Sequence, residues 1–171
     1  QTLLNPYELP ANEPALAPGD VSELPAECSI YSWQIICPRR FSAHGVDSVN
    51  VLAQKLLFGG DGRHERPSRL YFGRINRGDK VIWNANRKVS LIGHKGQPMG
   101  QGFVVNGAIG IVRAPKGVTG RENTSVLSDD LHGRYASVPF SELDRYVELG
   151  YATTVHKAQG SGFHTVILVL D

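Results

Sequence analysis

Thr153-Thr-Val-His-Lys-Ala-Gln-Gly-Ser-Gly-Phe163, followed by Thr165-Val-Ile-Leu-Val-Leu170, is the stretch around which the rest of the chain is organised. It gathers hydroxyls, an imidazole, an ammonium, a carboxamide and two glycines into one short turn between hydrophobic segments, a composition suited to phosphate oxygens. The apolar run after it reads as a strand buried on both faces, which is the signature of a parallel sheet. Just upstream, Val147 to Thr153 reads as a short strand and Val155 to Gln159 as a helical turn.

A second segment has the same logic. Ile30-Tyr-Ser-Trp-Gln-Ile-Ile-Cys37 is rich in aromatic and β-branched residues and is closed by Pro38, so it reads as a strand ending at a turn. A polar, basic loop follows, Arg39 to Gly45, and then Val46, Val49, Leu52, Ala53, Leu56 and Leu57 recur at helical spacing up to Gly59-Gly60. Strand, basic loop and helix make half of a βαβ unit. In open α/β sheets ligands bind at the carboxyl ends of strands, where Arg39 and Arg40 fall.

The intervening residues have a different texture. Arg63, Arg66, Arg69, Arg74, Arg77 and Lys80 form a broken basic run that reads either as a solvated loop or as a phosphate-contacting edge. Short β-rich runs follow: Lys80 to Trp83, Lys88 to Ile92, Gly102 to Val105, Ala108 to Val112 and Tyr135 to Pro139. Asn106-Gly107 between two of them predicts a hairpin, and Pro115 to His132 predicts a long exposed loop. Five short strands in this space point to a small antiparallel barrel inserted into an α/β domain. Trp83, Tyr71 and Phe72 are open to two roles, stacking on bases or filling the core.

Composition sets the bounds. The chain has 171 residues, enough for one ordinary core or a core with a small satellite. Residues 1–38 carry five acids and no Lys or Arg, which against a whole-chain charge of +2 leaves +7 on the remainder, a modest footprint for a polyanion. Residues 1–29, with Pro6, Pro10, Pro14, Pro18 and Pro25, read as an extended acidic arm or linker. No run is long enough to span a bilayer and no signal peptide is evident, so a cytoplasmic location without membrane partners is expected. Cys28 and Cys37 are expected to be reduced, and a metal site from Cys28, Cys37, His44 and His64 is poorly spaced, so none is expected.

Tyr151-Ala-Thr-Thr-Val-His-Lys-Ala-Gln-Gly-Ser-Gly-Phe163 followed by an apolar strand resembles the motif V region of superfamily 1 DNA helicases. The likeness is to the RecD-like branch, the group of the exodeoxyribonuclease V alpha subunit and TraA-like proteins. Cys37-Pro-Arg-Arg-Phe-Ser-Ala-His-Gly-Val-Asp-Ser-Val-Asn50 is similar to that family's motif IV segment, with Arg40 on the motif arginine. Gly78-Asp-Lys-Val-Ile82, Asn86 and Val105-Asn-Gly-Ala-Ile-Gly-Ile-Val112 are similar to its inserted SH3-like barrel. The resemblance covers roughly residues 30 to 171.

This resemblance implies a division into an arm over 1–29, a partial RecA-like second motor domain over 30–60 and 147–171, and a basic connection with the SH3-like barrel over 61–146. It further implies that Arg40 supplies charge to the γ-phosphoryl group during ATP hydrolysis. Thr154, His156 and Lys157 would contact single-stranded DNA, and Gln159 and Gly160 would lie toward the nucleotide. From the residues alone, Arg40 reads as a surface arginine, and Thr-x-His-Lys reads equally as a helix cap followed by exposed polar residues. ATP and Mg²⁺ would be cofactors of the intact protein, and the first motor domain of that same protein would be the partner across the cleft.

Two departures stand out. Gly162 occupies the place where the family has a glutamate that meets the nucleotide's sugar, and Ala108 replaces an aspartate of the barrel turn. No Gly-x-x-x-x-Gly-Lys-Ser/Thr phosphate loop occurs, and the chain starts at Gln1 and stops at Asp171, so it reads as a piece of a helicase expected to bind no nucleotide cofactor and to lack ATPase activity alone. The alternatives are a stand-alone nucleic-acid-binding module and a degenerate interaction domain without motor activity.

Overall fold

The computed structural model describes residues 32–58, 74–113, 124–128, 131 and 134–170. The acidic arm, Cys28, Arg63, Arg66 and Arg69 of the basic run, His64, Tyr71 and Phe72 lie outside the described residues. The architecture is mixed α/β, with a three-stranded parallel sheet and a seven-stranded antiparallel sheet.

The parallel sheet has β1 (Trp33–Cys37) at its centre, between β9 (Ala152–Thr154) and β10 (Thr165–Leu168). Cys37 aligns with Thr154 across β1 and β9, so the two strands end level with one another. α1 (Val46–Phe58) packs on β9. Its inward face is partly polar: Val46, Asn50, Ala53 and Gln54 are buried, whereas Leu52 and Leu56, expected on the apolar face, are 55% and 70% exposed. Asn50 replaces a missing neighbour strand. It donates to the Ala152 carbonyl at 3.1 Å and accepts from the Ala152 N–H at 2.8 Å, satisfying the free edge of β9.

The antiparallel sheet runs β4-β3-β7-β6-β5-β2-β8. Its strands are β2 (Lys80–Trp83), β3 (Arg87–Ile92), β4 (Pro98–Val104), β5 (Ile109–Arg113), β6 (Thr124–Ser128), β7 (Tyr135–Val138) and β8 (Val147–Leu149). Val81, Trp83, Leu91, Val104, Val112, Val126 and Ala136 fill its interior, and the same cluster takes in Trp33, Ala53 and Tyr151 from the parallel side. One core therefore spans both sheets. Trp83 is fully buried, edge-on to Tyr146, which assigns it to packing rather than to base stacking.

Four expectations need correction. Asn106-Gly107 does form a turn, with Gly107 at φ 93° and Ala108 N–H donating to the Val105 carbonyl, but it does not close a hairpin. β4 pairs with β3 and β5 pairs with β2 and β6, because the turn is held against Trp83, whose carbonyl accepts from Gly107 and whose N–H donates to Ala108. Within the segment read as a long loop, Thr124–Ser128 is a strand in the middle of the sheet, with Ser125 to Ser128 buried. The strand read over Val147 to Thr153 is two strands in different sheets, β8 and β9, separated at Gly150 and Tyr151. Finally, Thr165–Leu168 is parallel to β1 as expected, yet it is an edge strand with all four residues exposed, since no described element covers it.

Gly150 makes the crossing between sheets possible. Its N–H donates to the Lys80 carbonyl at 2.8 Å, and a Cβ there would lie 2.6 Å from the Val81 backbone carbon. Beside it, Gln34 of β1 is wholly buried and donates to the carbonyls of Gly150 and Tyr151. These bonds tie the parallel sheet to the point where the chain leaves the antiparallel one.

Candidate functional site

The predicted site residues lie at the carboxyl ends of β1 and β9. Arg40 stands three residues beyond Cys37 and Lys157 three residues beyond Thr154, and because those two strands end level, both cations emerge at the same edge. The loop carrying Arg40 is tightly wound. Gly45 N–H donates to the Ser42 carbonyl, Val46 N–H to the Arg39 carbonyl and Asp47 N–H to the Arg40 carbonyl, while a Cβ on Gly45 would sit 2.4 Å from the Arg40 oxygen. On the other strand, Thr154 caps the four-residue helix α3 (Val155–Ala158), its hydroxyl accepting from the Lys157 N–H at 3.5 Å. This corresponds to the capping that the bare Thr-x-His-Lys pattern admits.

A carboxylate unremarked in the sequence joins the two. Glu148 of β8 accepts from Arg40 Nη2 at 2.8 Å through Oε2 and from Lys157 Nζ through Oε1. Asp47 adds a longer contact to Arg40 Nε at 3.4 Å. Burial raises the Glu148 carboxyl, but the hydrogen bonds and charges of Lys157 and Arg40 outweigh it and hold the group below its ordinary value. The Arg40 guanidinium is raised, first by its hydrogen bond to Glu148. The three side chains are partly solvated, so the cluster is accessible to an anion from outside. A cleft of about 360 Å³ opens beside it, bordered by Arg40, Asp47, Asn50, Asn84 and Glu148.

His156, Gln159 and Gly160 are exposed and face a second groove, of about 430 Å³, floored by Ile36, Phe163 and Val166. Gly160 sits at φ 87° and Gly162 has no atom within 4 Å of where a Cβ would stand. Arg40 and Lys157 are thus brought together through Glu148, while His156, Gln159 and Gly160 line a neighbouring groove and do not share that contact. Among the described residues no three His, Cys, Asp or Glu side chains are placed to hold a metal ion. Cys37 is a free, buried thiol whose pKa burial pushes up.

Behind the site lies a polar cluster that sequence reasoning missed. Asp79 is buried and accepts from Gln54 Nε2 at 2.7 Å, the Asn76 N–H at 2.6 Å and the Tyr151 hydroxyl at 2.7 Å. Burial lifts its pKa to about 6 against the pull of these donors. The next residue, Lys80, is wholly buried, donates Nζ to the Trp33 carbonyl and lies 4.6 Å from the Trp33 ring centroid. Burial lowers its pKa to about 7. The signal for this cluster was Gln54, a carboxamide on the same helix face as Val46, Asn50 and Ala53.

The chain is 31% identical over 137 residues to the "ATP-dependent RecD2 DNA helicase" of Deinococcus radiodurans, a match covering 80% of this chain and 16% of that protein. The chain therefore has a distant helicase relationship and spans a small part of that relative's length. No protein-family model matches it. No helix among the described residues is long and apolar enough to cross a membrane.

Proposed function

We propose that this chain forms part of the second motor domain of an ATP-dependent DNA helicase, a RecA-like sheet carrying an SH3-like insertion. Arg40 serves the γ-phosphoryl group of ATP bound with Mg²⁺ to the first motor domain. Thr154, His156 and Lys157 hold single-strand phosphates, and Gln159 and Gly160 lie on the nucleotide side. The observation that carries the proposal is the meeting of Arg40 and Lys157 at the carboxyl ends of two adjacent parallel strands. Two cations at such an edge suit phosphate, and the distant kinship with a helicase supports which phosphates they serve.

Arg40 carries the hydrolytic part. A forked, permanently charged guanidinium stabilises charge that spreads over the equatorial oxygens as the phosphoryl group transfers, and such a group is worth roughly 10³-fold or more in turnover. Arg40→Ala in the intact protein is expected to lower DNA-stimulated ATP hydrolysis by about that factor while nucleotide affinity changes little. The 171-residue chain alone is expected to release no phosphate from ATP. Steady-state phosphate-release assays check both, and DNA-stimulated hydrolysis by the pure chain or undiminished turnover by Arg40→Ala would overturn the assignment.

A further inference from the structure

Neither Arg40 nor Lys157 is idle where it stands. Both oxygens of Glu148 are committed, Oε2 to Arg40 and Oε1 to Lys157. A carboxylate holding one cation on each oxygen mimics two oxygens of a phosphate. Glu148 also cannot drift with its ligands. It belongs to β8, paired with β2 through Val81–Leu149 and Ile82–Glu148, and the strand is pinned at its end by Gly150 N–H on the Lys80 carbonyl. The cations sit on a loop and a four-residue helix of the other sheet, whereas the carboxylate is fixed to the antiparallel one.

We propose that Glu148 is an internal phosphate mimic, a positioning residue that holds Arg40 and Lys157 together and that incoming phosphates must displace, from Arg40 on the nucleotide side and from Lys157 on the strand side. This rests on the proposed function of the same edge as a phosphate site. Binding there is an exchange of one anion for another. The carboxylate keeps the cations in place when the site is empty and lowers their net attraction for phosphate.

The test uses the 171-residue chain and two probes, a fluorescein-labelled single strand of about fifteen thymidylates and inorganic triphosphate. Glu148→Gln, which removes the charge and keeps the shape, is expected to bind roughly tenfold more tightly at about 50 mM salt, with a steeper loss of affinity toward about 200 mM. Each additional phosphate engaged should steepen the log–log salt slope by about 0.7. Glu148→Asp, too short to reach both cations, should fall between wild type and Glu148→Gln. Adding Lys157→Ala to Glu148→Gln should remove most of the gain. Asp144→Asn deletes the same charge from an exposed acid on the wall of the adjoining cleft and should leave the slope unchanged. A gain with the oligonucleotide assigns the displacing phosphate to a single strand, and a gain with triphosphate alone assigns it to a nucleotide; either supports the mimic. If wild type and Glu148→Gln bind both probes equally, or Asp144→Asn gains as much, the mimic is wrong and the proposed function stands. If neither protein binds either probe, the mimic fails, since removing the Glu148 charge has freed no capacity for phosphate, while the proposed function is judged by the Arg40→Ala turnover of the intact protein.

Discussion

The two sheets share one core but divide the labour between them. The antiparallel sheet holds most of the buried side chains, with β2 enclosed along its whole length. The parallel sheet has three strands, one of them exposed throughout, and yet Arg40, Thr154 and Lys157 all stand at its edge. Most of the buried packing and the candidate site residues thus lie on different sheets, and besides the shared packing of Trp33, Ala53 and Tyr151 the polar groups Gln34, Gln54, Asp79, Lys80 and Glu148 tie the two together. A site can rest on a thin support if a thicker neighbour pins it by hydrogen bonds as well as by shared packing.

The sharpest contrast should come from truncating one large residue on each side. Trp83→Ala removes a fully buried ring and is expected to cost about 3–5 kcal/mol in urea unfolding. Ile167→Ala, at a β10 position 44% exposed, should cost less than about 1 kcal/mol. Equal costs would mean that the two sheets are not unequal partners in stability.

Charge at the seam gives the next effect. Lys80 has a folded pKa of about 7 against 10.5 unfolded, so between those values the unfolded chain binds the extra proton and stability rises with pH. Asp79 has a folded pKa of about 6 against 3.8 unfolded, so between those values the folded chain binds the extra proton and stability falls as pH rises. The two trends meet in a minimum between about pH 6 and 7. Urea unfolding at pH 7 and 9 should show a gain approaching about 1.4 kcal/mol per pH unit in the Lys80 window, and Lys80→Met should flatten it. A wild-type profile flat from pH 7 to 9 would remove the seam's electrostatic character.

How much of this was legible depended on range. β1, α1, β2, β3, β5 and β7 follow from local periodicity and turn residues, and the exit points of Arg40 and Lys157 follow from strand ends. β6 escaped because Thr124–Ser128 offers only Val126 and Leu127 as large apolar residues in a polar neighbourhood. Asn106-Gly107 specified a turn correctly, but the partner of each flanking strand was decided by contacts with Trp83, far back along the chain. β10 is apolar on both faces yet lies exposed, since apolarity reports what a strand suits rather than what covers it. Glu148 meets Arg40 across 108 residues, a pairing no local pattern carries.

The smallest expected effect concerns Gly162. Gly162→Glu should change unfolding free energy by less than about 0.5 kcal/mol, because a side chain there enters open space. A larger loss would show that this turn is more tightly constrained than its surroundings indicate.

The emptiness around Gly162 has a consequence for inheritance. Gly45 and Gly150 are locked by backbone atoms within 3 Å of any added Cβ, so their identity is tied to the survival of the fold. Gly162 carries no such debt. A lineage can acquire or shed a carboxylate at that point in a single substitution without compensating changes elsewhere, and whatever preference that group confers is free to diverge while the scaffold stays the same.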